Sequence, residues 1–594
     1  MLRNRLTDDE AIERPFSSNQ FFRLLNYLKP FRNEMLIALL FMITSSVASL
    51  SGPYLIMLFI DDYIAKDNFA GSWWVLLFYI GASILSAVCL RYRVRIMDVA
   101  GRKAIAKLRQ DLFDHIQGLS FSYFDSKPAG KIMVRVINDV NSLNDLFTNG
   151  IVNVLIDVMT LFLISFLMFS LHVQLSFAAM AAVPLIMLVI FLTKKYIRLR
   201  WQIVRRKISN MNAYLHESFA GVRTTQAFVR ENENRQIFKE INSDVKNSWM
   251  RAIKVNNVFW PSLDFASSIG VVLVYFYGIR FMQAEMLTLG TLMAILWYLG
   301  RFWEPLNNIS NFYNSILVAM ASTERIFEIL DTAPDIKDSP AASLMPPIKG
   351  FVDFKNVSFS YDEHTKVLQN VNFAVKSGEI IALVGPTGAG KTTIVNLISR
   401  FYETSDGYVA IDGINIKDVT MSSLRGQMGI MMQDAFIFSG TVMDNIRYGN
   451  SDATDEEVIE AAKAVNAHEF IINMEKGYFT EVNERGSRLS TGQKQLISFA
   501  RTLLKNPRIL ILDEATSSID THTEALIQKA LEILLKDRTS FVIAHRLSTI
   551  RKADRIMVIE KGQITQIGNH DELIRTQGIY QDLCKAQYRF LKAV

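Results

Sequence analysis

The sequence predicts a multidomain chain with two fold classes in series. A six-helix α transmembrane domain with long cytoplasmic helical extensions comes first, and an α/β domain with a largely parallel, buried sheet follows. Three observations carry this expectation. Half of the 594 residues are hydrophobic and only 21% are charged, a greasier balance than ordinary soluble proteins show. Apolar runs long enough to cross ~30 Å of hydrocarbon at ~20 residues each recur through the first half. From about Gly350 the texture changes to short β-branched runs, such as Ile380-Ile381-Ala382-Leu383-Val384 and Ile509-Leu510-Ile511-Leu512, alternating with helical stretches.

The composition also excludes classes. A chain this apolar is neither disordered nor fibrous. Cys89 and Cys584 are the two cysteines, too few for a disulfide framework or a cysteine-rich zinc site, so packing alone must hold the fold. The net charge of +6 is unevenly placed: residues 1–340 carry 35 basic and 28 acidic side chains, residues 341–594 carry 29 and 30. The basic excess belongs to the apolar half, where it points to a cytoplasmic membrane face rather than to nucleic acid. Asp8, Asp9, Glu10 and Glu13 precede any apolar run, unlike a secretory signal.

Residues 1–34 read as a cytoplasmic N-terminus. Within it Phe21 to Leu28 is amphipathic, is ended by Pro30, and suits a helix lying on the membrane surface as an elbow. Residues 35–330 form the transmembrane domain, with spans expected at Met35–Ile60, Ser72–Leu90, Ile151–Leu171, Leu175–Leu192, Val258–Tyr277 and Met286–Ile309. Pro53 interrupts the first, while Arg301, Glu304 and Pro305 interrupt the sixth. Six is preferred to five because an even number returns the chain to its starting side. The segments after spans two and four are long and basic, with 10 basic against 6 acidic residues over 91–147 and 14 against 5 over 193–257. The positive-inside rule therefore places them and both termini in the cytoplasm. Their helical periodicity suggests that they prolong the spans into the cytosol. Asp157, Asp264 and Glu304 fall at membrane depth, where charge is costly, and are candidates for cargo contact; Arg301, one turn from Glu304, offers a simpler partner.

Residues 331–349, with Pro334, Pro340, Pro346 and Pro347, read as a linker, and 350–594 as a nucleotide-binding domain. Gly385-Pro386-Thr387-Gly388-Ala389-Gly390-Lys391-Thr392 follows the first β-branched run and precedes the apolar stretch Ile394 to Ile398. This is the G-x-x-x-x-G-K-[ST] spacing of a phosphate-binding loop. Its glycines let backbone N–H groups curl round phosphates, Lys391 reaches the β and γ oxygens, and the Thr392 hydroxyl ligates Mg2+. Further on, an apolar strand ends in Asp513-Glu514. The first carboxylate suits the magnesium shell, and the second can polarise an attacking water.

With these residues on the page the chain resembles the ATP-binding cassette transporters, and more narrowly the exporters that fuse membrane and nucleotide domains. Leu489-Ser490-Thr491-Gly492-Gln493 resembles the cassette signature. Tyr361 resembles the adenine-stacking aromatic, Gln433 the glutamine of the lid loop, and Thr480 to Gly486 the exporter cross-loop. Ser518-Ile519-Asp520 resembles the dimer-contact loop and His545 the switch histidine. The resemblance implies that ATP and Mg2+ are the cofactors. It implies catalytic roles for Glu514, His545 and Gln433, metal contacts for Thr392, Gln433 and Asp513, and nucleotide contacts for Tyr361, the loop from Gly385 through Thr393, Ser490, Gly492 and Gln493.

In that family two cassettes face head to tail, and each signature closes over the nucleotide held by the other. The resemblance therefore implies a second half-transporter chain. It also implies coupling helices near Ser120 to Asp125 and Phe219 to Arg223 that dock on cassettes. Thr491 departs from the usual glycine, which favours a heterodimer over a homodimer. The expected function is ATP-driven multidrug-type export of hydrophobic or amphipathic compounds across the cell membrane, from among its lipids. A lipid flippase is the alternative, and a peptide exporter is weaker because no nucleophilic cysteine occurs in the first 80 residues. A soluble cassette ATPase and an importer are both disfavoured, by the six spans and by the fusion of domains.

Overall fold

A computed structural model describes residues 18–67, 69–144, 146–362, 365–433, 435–483, 486–513, 521–544 and 547–592. The chain divides into two compact units, Met1–Gln117 with Gly130–Asp331, and Gly118–Ala129 with Thr332–Val594.

The first unit is helical. Helix α1 (Ser18–Leu25) buries Leu24 and sends Arg23 to Asp331, with both guanidinium nitrogens 2.8 Å from the two carboxylate oxygens. Pro30 does not stop the chain there. It sits in a 3-10 turn, Asn26–Phe31, whose tighter winding tolerates the ring, and the helix resumes as α2 (Arg32–Leu58). Then come α3 (Trp73–Gln117), α4 (Ile151–Leu171), α5 (Val173–Met180), α6 (Ala182–Ala220), α7 (Glu231–Gln283) and α8 (Leu289–Asp331). The six apolar runs expected to span fall on these helices except at a few end residues and at Ala181, and α3, α6 and α7 extend far past their apolar parts, as the periodicity of the long basic segments predicts.

Four helical stretches among the described residues are long and apolar enough to cross a membrane: Asn19–Ile64, Trp73–Gln117, Ala129–Leu171 and Glu231–Gln283. The remaining two runs fall short for visible reasons. One is broken between α5 and α6 at Ala181, and the other carries Arg301 and Glu304 within α8. Leu50, Ile164, Met168, Leu175, Val274, Ile295 and Phe302 form the core of the unit, and the Tyr298 hydroxyl donates to the Leu50 carbonyl at 2.8 Å. Large apolar side chains such as Leu77, Phe78 and Phe162 face outward, the reverse of a water-soluble bundle.

The second unit is α/β. Its main sheet has six strands in the order β12-β11-β3-β10-β9-β6, namely β3 (Ile380–Val384), β6 (Met428–Met431), β9 (Ile509–Asp513), β10 (Thr539–Ile543), β11 (Arg555–Glu560) and β12 (Gln563–Gly568). All neighbours are parallel except β11 with β12. The parallel strands are buried nearly throughout, which is why they read as continuous apolar runs. An antiparallel sheet, β2-β1-β4-β5, is built from β1 (Val352–Ser360), β2 (Lys366–Val375), β4 (Asp406–Ile411) and β5 (Ile414–Asn415), and a two-stranded piece pairs β7 (Gly440–Thr441) with β8 (Glu481–Val482). Phe354 and Phe373 stack across β1 and β2 at 4.3 Å.

Residues 332–349 are docked rather than loose. Met345 and Ile348 are buried, the Ser343 N–H donates to the Asp418 carbonyl, and the Ile348 N–H donates to Gln427 Oε1. The fully buried Arg400 donates to the Lys337 and Val419 carbonyls and pairs with Asp338 and Glu403.

Candidate nucleotide site

The parallel strands bring their carboxyl ends to one edge of the sheet, where α/β proteins place ligands. Ile543 on β10 stands opposite both Leu383 on β3 and Asp513 on β9, and Met431 on β6 stands opposite Leu512. The chain leaves these ends at Gly385, Ala544, Asp513 and Met432, so four sequence-distant motifs begin side by side.

The glycine loop connects β3 to α9 (Lys391–Ile398). Two of its glycines are required by geometry. Gly385 has φ +154°, and a Cβ there would lie 2.1 Å from the Ile559 carbonyl oxygen; Gly390 has φ +110°, with the Leu368 side chain at 2.7 Å. Such a backbone, feeding a helix N-terminus, turns N–H groups toward one centre. The Lys391 amine donates to the Gly385 and Pro386 carbonyls at 2.8 and 2.9 Å, which folds it into the loop. Burial holds that amine below the usual lysine range, and the charge of Asp513 opposes the shift. Ala389 is buried in the core beneath the loop.

Thr392, Asn396, Ser399, Met432, Gln433 and Asp513 line one cavity of about 300 Å³, with Val395, Ile430 and Ile511 among its apolar walls. The structure thus gathers the three side chains expected to meet magnesium. Glu514, His545 and residues 518–520 lie outside the described residues, as do Glu484 and Arg485 of the cross-loop.

Tyr361 is half exposed. Its ring meets Phe359 and Tyr402 edge-on at 4.8 and 4.9 Å, and its hydroxyl is 3.1 Å from the hydroxyl of the buried Thr393. Tyr402 carries no motif and sequence reasoning missed it. Its hydroxyl donates to Asp125 at 2.6 Å, on the short helix Phe121–Ser126, whose Phe121 stacks on Phe401 at 5.1 Å. Burial first, then the bond to Asp125, push the Tyr402 phenol above the usual tyrosine range. Phe219, in the other segment expected to dock, is 71% exposed.

Ser490, Gly492 and Gln493 do not line the cavity. They open α10 (Thr491–Lys505) as a capping box: Ser490 Oγ accepts from the Gln493 N–H at 3.2 Å, and Gln493 Oε1 accepts from the Ser490 N–H at 3.0 Å. Arg501, one element of α10 that no motif flagged, donates to the Phe436 and Asn445 carbonyls and to Asn445 Oδ1, fixing the segment that follows Gln433.

A strand, a glycine loop and a helix, with a lysine folded into the loop and a carboxylate at a neighbouring strand tip, define a phosphate-loop nucleotide-binding domain. Comparison with known proteins carries this to a family. Residues 35–306 match the ABC transporter transmembrane region and residues 368–517 the ABC transporter family. The chain is 46% identical to YknV of Bacillus subtilis, an uncharacterized ABC transporter ATP-binding protein, over 98% of this chain and 97% of that one. It is 38% identical to the ATP-dependent lipid A-core flippase of Syntrophus aciditrophicus, over 97% and 96%, and 37% identical to the putative multidrug export ATP-binding/permease protein YgaD of Bacillus subtilis, over 95% and 99%. The chain belongs to the ABC transporter family, with the membrane region and the ATP-hydrolysing domain fused in one polypeptide.

Proposed function

We propose that this chain is one half of a dimeric exporter that hydrolyses ATP to carry hydrophobic or amphipathic compounds out across the cytoplasmic membrane. Residues 35–330 cross the membrane six times in this reading, and both termini and the nucleotide domain lie in the cytoplasm. The observation that carries it is the single cavity shared by Thr392, Gln433 and Asp513, in a chain whose other unit has helices of membrane-crossing length.

A hydroxyl, an amide oxygen and a carboxylate are hard oxygen donors, a set that fits Mg2+. These three residues would hold the ion, which when bound neutralises phosphate charge. The Lys391 amine exchanges its two loop carbonyls for phosphate oxygens, Tyr361 offers its half-exposed face to the adenine, Glu514 takes the proton of the attacking water, and His545 holds the γ-phosphate. Ser490, Gly492 and Gln493 serve the nucleotide of the partner chain, which is why they stand apart from this chain's own cavity.

Thr491 supports a heterodimer. It puts a β-branched side chain where backbone must approach an opposing nucleotide closely, and a partner with an ordinary signature would confine that cost to one of two sites. The names of the relatives cover both multidrug export and lipid A-core flipping, so a lipid flippase is the second reading.

ATPase activity in liposomes, measured against a panel of drugs, lipids and peptides, tests the cargo class. Stimulation by amphipathic drugs supports the reading, stimulation by lipids alone replaces it with the flippase, and no stimulation overturns it. A stable dimer with full activity from this chain expressed alone would overturn the heterodimer.

A further inference from the structure

We propose that Asp157 and Glu304 form a binding site for a lipophilic organic cation inside the membrane unit. This rests on the reading of the chain as an exporter of hydrophobic or amphipathic compounds, and it names the charge of the cargo.

Asp157 lies on α4 and is 9% exposed. Its Oδ1 accepts from the Asn308 amide at 3.3 Å, and its Oδ2, equally buried, has no hydrogen-bond partner among the described residues. Asn308 and Glu304 are four residues apart on α8 and so share a face of that helix. The Glu304 charge acts on Asp157, as does that of Arg93 on α3.

The partner that sequence reasoning offered Glu304 is engaged elsewhere. Arg301 donates to the Ser49 carbonyl and hydroxyl at 2.7 and 2.6 Å. Among the described residues neither Asp157 nor Glu304 is in an ion pair, and Arg93 closes none with them. Asp157 is buried while Glu304, near it, is exposed, so a cation placed between them is attracted by both carboxylates and supplies the missing partner of Asp157 Oδ2. The neighbouring Ile156 packs into a closed apolar cluster with Ala38, Met42 and Met97, which fixes the helix that carries Asp157. The shared chemistry is a quaternary ammonium, protonated amine or phosphonium group on an apolar frame; an anionic lipid head group would meet the wrong sign of charge.

The test uses two probes of one shape and opposite charge, tetraphenylphosphonium and tetraphenylborate, titrated onto the full-length chain in nanodiscs. The wild type is expected to bind the phosphonium more tightly. Asp157→Asn should weaken phosphonium binding about tenfold or more and leave borate binding unchanged, Glu304→Gln should weaken it less, and Asp157→Glu should restore it. Equal wild-type affinity for the two probes, or unchanged phosphonium affinity in Asp157→Asn and Glu304→Gln, overturns the site. Should Asp157→Asn fail to elute as folded protein, Glu304→Gln alone decides. A wild type that binds neither probe, yet shows ATPase stimulated by neutral compounds, overturns only the cation site; no stimulation by any compound overturns the exporter reading with it.

Discussion

The Tyr402 hydroxyl donates to the Asp125 carboxylate at 2.6 Å while the Tyr402 ring meets Tyr361 edge-on at 4.9 Å. One side chain therefore touches both the aromatic expected to stack on adenine and the helix Phe121–Ser126. Tyr402→Phe keeps the rings and removes the bond. We expect it to leave the KM for ATP within about twofold, to cost about 1–3 kcal/mol of stability, and to reduce drug stimulation of the ATPase. Tyr402→Ala removes the ring support as well and should raise KM. A KM that moves equally in both variants would contradict the division of labour between ring and hydroxyl.

Glu514 follows the strand tip that puts Asp513 on the cavity. Glu514→Gln should bind ATP and magnesium normally and hydrolyse about 10²- to 10⁴-fold more slowly. Near-normal turnover of the purified variant would remove Glu514 from the general-base role.

Two glycines of the phosphate loop should respond differently to alanine. Gly388 has φ +81° and open space around a Cβ, so Gly388→Ala should cost about 1–2 kcal/mol of backbone strain. Gly385→Ala adds a collision with the Ile559 carbonyl and should displace the loop, with a larger loss of stability and of nucleotide affinity. Chemical denaturation and ATP titration of both variants would expose the order, and a reversed order would refute it.

Arg501→Met keeps the bulk of the side chain and takes the guanidinium from the Phe436 and Asn445 carbonyls, while Asn445 Oδ1 keeps the Phe438 N–H. The expected cost is about 2–4 kcal/mol, with slower hydrolysis because the segment after Gln433 loses its anchor. An unchanged melting temperature would show that the three bonds contribute little.

The pieces most legible in the sequence were those whose chemistry is local. A phosphate loop needs glycines, a lysine and a hydroxyl at fixed offsets, and the positive φ angles of Gly385, Gly388 and Gly390 explain why. Long apolar runs gave the helices of the membrane unit, because length and apolarity suffice there. Tyr402 and Arg501 were invisible because their roles depend on partners 277 and 56 residues away. The tie between Arg400 and residues 337–338 was equally hidden, since a proline-rich stretch looks like a tether until its backbone groups find acceptors. Arg301 shows the converse error. The spacing suggested Glu304, since side chains three residues apart on a helix are neighbours, and yet Ser49 on α2 took the Arg301 Nη1 donor.

The capping box at the head of α10 has a consequence for how two subunits hold together. Ser490 satisfies the Gln493 N–H, while the amides of Thr491 and Gly492 precede it in the first turn, where a helix has no acceptor of its own to offer. The positive end of a 15-residue helix thus lies outside the lining of the cavity that holds Thr392, Gln433 and Asp513. In the dimer proposed above, a nucleotide gripped by one subunit and facing this end of the other would act as an adhesive that is consumed when it is cut, and the strength of the seam between the two cassettes would become a clock set by hydrolysis.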